Sequence, residues 1–174
     1  MQIRSLASAT LLVFSLCCAL PAQQRCSMQQ VVGTWGFTLV GWDILNGQST
    51  PAPETMIGIV SVDESGKVTG AATSVLGAPL GGIPAGQPLD SELVDASVQV
   101  NPDCTGFFKY SILLKGAGVP AYGPNVDRLV VLPFHNQVLA MRVHSPLSKP
   151  LEPYTMNRIS FMPAPVSWPA VPTQ

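Results

Sequence analysis

The chain has 174 residues, enough for one domain with its own core, and 47% of them are apolar. Nine basic side chains face ten acidic ones, a formal net charge of −1, and they are scattered without a basic run. Phosphate binding needs clustered Lys or Arg and an anionic membrane surface needs a polybasic segment, so neither nucleic acid nor a lipid headgroup layer is an expected partner.

The first segment carries Arg4, an apolar run over 11–20 and then Pro21-Ala22, which is the pattern of a secretory signal peptide with cleavage after Ala22. That run is too short for a stable membrane span, and no later stretch is longer, so no integral membrane segment is expected once 1–22 is removed. Cys17 and Cys18 follow Leu16 and Cys17 rather than a small residue, so no lipid anchor is expected. Loss of Arg4 leaves eight basic and ten acidic side chains, a charge of −2. The expected location is secreted or periplasmic. In such an oxidising compartment the two remaining cysteines, Cys26 and Cys104, most simply form one disulfide; two free thiols are the alternative.

Beyond residue 22 no helical periodicity stands out. What recurs is a short run rich in Val, Ile, Thr and aromatics, bounded by Gly, Pro, Asn or Asp. Eight such runs occur: 31–42, 56–62, 67–74, 93–100, 107–115, 128–133, 137–144 and 154–161. In the fourth, Val94, Ala96, Val98 and Val100 are expected on one face, against Asp95, Ser97 and Gln99. In the fifth, Phe108, Tyr110, Ile112 and Leu114 oppose Lys109, Ser111 and Lys115. Alternation of this kind puts one face in the dry and the other in water.

Short connections with turn residues, Asp63-Glu64-Ser65-Gly66, 101–106 and Phe134-His135-Asn136, alternate with long ones rich in Gly and Pro over 43–55, 75–92, 116–127 and 145–153. In an up-and-down meander all the short turns then fall at one end and the long connections at the other. Cys26, before the first run, and Cys104, in the fourth connection, both fall at the short-turn end, so the topology permits their bond. Eight antiparallel strands dispose of their edges by closing into a barrel of modest bore, with a two-sheet sandwich as the alternative. The barrel domain is expected over 23–161. The segment 162–174, with four prolines, is expected to be an extended tail.

Gly33-Thr34-Trp35 at the head of the first run resembles the calycins, the lipocalin and avidin group, whose first strand opens on Gly-x-Trp. Gly66-Lys67-Val68-Thr69-Gly70 is similar to an avidin hairpin. The resemblance implies that Trp35 packs at the closed end against an Arg of the last strand, a place Arg158 occupies here, as a cation–π pair. Over much of 26–110 the chain also resembles secreted bacterial proteins that combine a Gly-Thr-Tyr-Gly-Phe-like start with Asp-Cys-Thr-Gly. Here those are Gly33-Thr34-Trp35-Gly36-Phe37 and Asp103-Cys104-Thr105-Gly106. Those proteins are similar in plan to allene-oxide-cyclase-like barrels. The Thr-Asp-Tyr lipocalin motif and any biotin-site pattern are absent, so the resemblance implies a fold and not a ligand.

No catalytic constellation is evident. There is no Gly-x-Ser-x-Gly elbow, and His135 and His144 are expected at opposite ends of the barrel, which leaves no metal site and no triad. No cofactor is expected. Asp103 is expected to bond its own turn rather than to act chemically. The connection 75–89 is unusually apolar, with Leu76, Leu80 and Ile83, and is a candidate lid, partner surface or folded-back cover. The leading expectation is therefore an exported, non-enzymatic barrel that binds a small apolar molecule at its long-loop end. Trp35, Phe37, Leu76, Leu80, Ile83, Tyr110, Tyr122 and Met141 are the candidate lining residues. The alternatives are a barrel-type cyclase or isomerase using Asp43, Glu54, Tyr122 or Tyr154 near the mouth, and a protein-binding module of inhibitor or adhesion type using the apolar loop. Oligomeric state and ligand identity are not legible at this level.

Overall fold

The structure, a computed structural model, describes residues 25–45, 50–80, 82–116, 120–146, 148–151 and 153–166. The expected signal peptide, with Cys17 and Cys18, and the last part of the tail lie outside them. Among the described residues nine strands form: β1 Gly33–Leu45, β2 Ala52–Val62, β3 Lys67–Leu76, β4 Pro88–Val100, β5 Thr105–Leu114, β6 Tyr122–Leu132, β7 Gln137–His144, β8 Ser148–Leu151 and β9 Pro153–Ser160. The helical segments among the described residues are short 3-10 turns, Met28–Gln30 before β1 and Pro133–His135 between β6 and β7. Each strand pairs antiparallel with the next from β1 to β7, β7 pairs with β9, and β9 pairs with β1. The result is a closed, eight-stranded, up-and-down barrel. The short β8 runs on beside the far end of β1, pairing Trp42 with Leu151.

Closure follows from the pattern of side chains. Along β1, Trp35, Leu39 and Asp43 are buried while Thr38, Val40 and Trp42 are exposed, and β2 alternates buried and exposed from Ala52 to Ile57. A surface dry on one side only can hide that side by curling on itself, which also removes both sheet edges.

Two expectations are corrected. Val94 does not share a face with Ala96, because the β4–β5 register slips between Val94 and Ser97. Asp95 takes a left-handed backbone at φ 51°, and Leu93, paired with Ile112, is the residue that reaches the interior. A bulge of this kind turns every following residue over. The second correction is length. β4 begins at Pro88 rather than at 93, and β6 at Tyr122 rather than at 128. The inward positions there are Leu89, Ser91, Asn125 and Asp127, all buried and three of them polar, so the expected contrast between apolar inside and polar outside is weak in the sequence.

The short-turn end is sealed. Cys26 and Cys104 form the disulfide, with Cα atoms 4.9 Å apart, and the Cys26 amide donates to the Pro102 carbonyl at 3.0 Å. Asp103 accepts the Thr105 amide at 3.0 Å and the Thr105 hydroxyl at 2.6 Å, fixing its own turn. Trp35 is buried and its indole donates to the Val31 carbonyl at 2.8 Å. The Arg158 guanidinium lies 4.3 Å from the Trp35 ring centre and 4.5 Å from that of Phe161, and it donates to the Val32 carbonyl at 2.6 Å and to that of Gln30. The cation thus plugs the base between two rings. Above it Val60, Val62, Val68, Val98, Leu129 and Val138 fill the bore.

Candidate functional site

The barrel changes character halfway up. From Phe37, Leu39 and Met156 at mid-height the interior becomes polar towards the long-connection end. One small cavity, about 30 Å³, lies among Phe37, Leu39, Met56, Phe108, Tyr110 and Met156, with Ser91 and Arg142 on its wall. A second, about 20 Å³, lies at the mouth among Asp43, Glu54, Ser74, Tyr122 and Ser145. The two share Met56, Ser91, Ile112 and Arg142 as walls. A cavity above roughly 10–15 Å³ holds one water, so each has room for one or two.

Between them stands a buried polar cluster drawn from four strands. Arg142 of β7 lies beside Asp127 of β6, its register partner, with Nε 3.7 Å from Oδ1. The Tyr110 hydroxyl from β5 donates to Asp127 Oδ2 at 3.2 Å, and the Tyr154 hydroxyl from β9 donates to the same oxygen. Arg142 Nε in turn donates to the Tyr110 oxygen at 3.1 Å. Asp127 has no exposed surface. Its carboxyl is held above the ordinary carboxylate range by burial, against the opposing pull of Arg142 and the two hydroxyls. Burial likewise raises both tyrosines, so their hydroxyls remain donors. Asn125, two residues before Asp127 on the same inward face, is fully buried, and neither of its amide atoms has a protein partner. A buried amide in that state costs about 1–3 kcal/mol until a water or ligand group meets it.

The connection over 77–87 folds back over the mouth. Leu80 and Ile83 pair with each other through backbone bonds of 3.1 and 2.9 Å, and both pack partly buried against the core. The Gly77 amide donates to the Pro53 carbonyl at 2.7 Å and the Gly86 amide to the Leu76 carbonyl at 2.8 Å, anchoring the cover at each end. Pro79 and Pro84 remain exposed.

Of the residues singled out from sequence, Phe37 and Tyr110 line the deeper cavity, and Leu76, Leu80 and Tyr122 line the one at the mouth. Trp35 lies at the sealed base and Ile83 in the cover, away from both. Met141 is corrected: half exposed, it stands on the outer face, because Ala140 and Arg142 take the inward positions of β7. Asp43, Glu54 and Tyr154 are buried and Tyr122 is partly buried; all four face the interior of the upper barrel. His135 and His144 are exposed at opposite ends. Among the described residues no group of three or more His, Cys, Asp or Glu side chains is arranged to hold a metal.

The residues that sequence reasoning missed are Asp127, Arg142, Asn125, Ser74 and Ser91. A signal for two of them was present. Counting back by twos from the inward Leu129 and Val131 lands on Asp127 and Asn125.

Fold and site together define a disulfide-sealed, closed β-barrel with an apolar base and a polar, covered upper chamber. No protein family, curated protein or solved structure matches the chain. Among the described residues no helix is long and apolar enough to cross a membrane.

Proposed function

We propose that this is an exported barrel of calycin-like plan that binds a compact small molecule in its upper chamber, beneath the 77–87 cover. The observation that carries the reading is the convergence of Asp43, Glu54, Ser74, Ser91, Tyr122 and Arg142 on one covered cavity, where apolar side chains would give a more stable barrel. The orphaned amide of Asn125 supports it, as does the apolar cavity directly below. The chemistry of the walls favours a ligand with a hydrogen-bonding end at the mouth and a short apolar body, rather than a wholly apolar one. The existing cavities are smaller than such a molecule, so entry requires the cover to lift and Leu80 to withdraw. The disulfide supports an oxidising destination.

Native mass spectrometry after incubation with a metabolite and lipid extract is the test. A retained adduct that disappears in Ser91→Phe, with the disulfide-linked fold intact, supports the proposal. Absence of any adduct across extracts, together with an upper chamber holding ordered water alone in a crystal, refutes it.

A second reading, a cyclase or isomerase, is favoured by one observation: a carboxyl raised by burial, clamped by two tyrosines and an arginine next to a cavity. In that reading Asp127 and Tyr154 move a proton on the bound molecule. Chemical change of the captured ligand, lost in Asp127→Asn while capture persists, separates it from simple binding.

A further inference from the structure

The outside of the barrel is as asymmetric as the inside. Outward positions of β3 to β6 and the connection after β5 carry Lys67, Asp90, Glu92, Asp95, Lys109, Lys115 and Arg128. The outward positions of β7, β9, β1 and β2 carry no charge at all: Leu139, Met141 and Val143, then Thr155, Asn157 and Ile159, then Gly36, Thr38, Val40 and Trp42, then Thr55, Ile57 and Ile59. Several of these are large and bare, with Val40 at 74%, Ile159 at 63% and Trp42 at 55% exposed.

This face has relief. Gly36 leaves an open hollow of about 440 Å³, walled by Ile57, Ile59, Asn157 and Ile159. Trp42 stands proud on the same strand, six residues on, which at about 3.3 Å per residue is roughly 20 Å away. A hollow and a knob on one strand of this face, where Lys149 of the flanking β8 is the charged register position, opposite Ile44, are self-complementary under a single operation. A two-fold axis lying in the face, across the strands between Thr38 and Val40, sets each Trp42 into the Gly36 hollow of the other copy. Such an isologous arrangement closes at two and leaves no open end.

We infer that a second copy of this chain docks on the β9–β1–β2 outer face, with Trp42 of each copy seated in the hollow of the other. The size is sufficient. β1 and β2 meet over about ten residues, flanked by the eight of β9 and then the four of β8; at about 4.8 Å by 3.3 Å per residue they present roughly 500 Å² per partner, at the threshold of about 1,000 Å² in total for a specific interface. The convex wall of the barrel keeps the contact to those strands, with Leu139 and Met141 at its rim. The proposal is independent of any ligand, since it uses only the outer surface.

Sedimentation velocity of the purified protein, disulfide intact, from micromolar to near-millimolar concentration is the test. A reversible dimer is expected. Trp42→Glu should raise its dissociation constant by about 30-fold or more, as loss of a central Trp anchor does. Gly36→Val should act alike by filling the hollow from within. Its new Cβ meets only the tip of Ile159, at 2.9 Å, and that tip can turn away. Both sites are on the outer face, so the strand circular dichroism should persist, and Lys109→Ala on the charged side should leave the dimer unchanged. A wild type that stays monomeric throughout overturns the inference, as do variants that dimerise like the wild type. A monomer that instead floats with phosphatidylcholine vesicles overturns it too.

Discussion

Replacing Arg142 by Met tests whether the upper chamber is held by a buried charge pair. Arg142 is 8% exposed and Asp127 fully buried, with Nε 3.7 Å from the carboxylate. Removing one member of a buried pair leaves the other without its counter-charge and costs about 3–5 kcal/mol. At about 2–4 °C per kcal/mol for a chain of this size, the melting temperature should fall by roughly 10 °C near neutral pH. The loss should shrink in acid. Asp127 already binds its proton more readily folded than unfolded, so its contribution favours the native state below the ordinary carboxylate range and fades as pH rises through the raised value. Without Arg142 the folded carboxyl rises further, and protonation then relieves the lone buried charge. Adding Asp127→Asn to Arg142→Met should restore part of the stability at neutral pH. Urea unfolding of the wild type, both single variants and the double variant, at pH 5 and pH 7.5, measures the coupling. A loss below about 1 kcal/mol that is equal at both pH values would refute the charge-pair account.

Other outcomes follow from the same structure. The Asp127→Asn single variant should flatten the acid-side rise in wild-type stability, read as the difference between their unfolding midpoints across pH 4 to 8. Reduction of Cys26–Cys104, which lie 78 residues apart, should cost about 4.5 kcal/mol by the chain-entropy relation, measured by urea unfolding with and without reductant. Arg158→Met removes the guanidinium from between Trp35 and Phe161 and leaves the Val32 and Gln30 carbonyls without that donor. The expected loss is about 2–3 kcal/mol, with a shift in the indole emission. Gly58→Ala drives a methyl to 2.3 Å from the Phe37 ring, so it should destabilise by about 1–3 kcal/mol, and Phe37→Leu should relieve the clash.

The barrel was legible because most of its inward positions are apolar at period two, while its turns carry Gly, Asn and Asp. The same reasoning failed where the interior is polar. Ser91, Asn125 and Asp127 face inward, so alternation gives little sign that β4 reaches back to Pro88 or β6 to Tyr122. The bulge at Asp95 was hidden for a different reason: a one-residue slip depends on which partner β5 offers, and nothing within β4 records that.

From the residues in order alone came the eight strands of the barrel, though not the short β8 within 145–153, together with the placing of short and long connections at opposite ends and the pairing of Cys26 with Cys104. Each depends on local patterning or on counting. Only closure of the sheet decided that Asp127, Tyr110, Arg142 and Tyr154, spread over 45 positions from the first to the last, meet at one point. It also decided that Met141 looks outward and that residues of β2 and β9 wall the hollow at Gly36. Such contacts are set by register around a ring, a property of all eight strands together and of none singly.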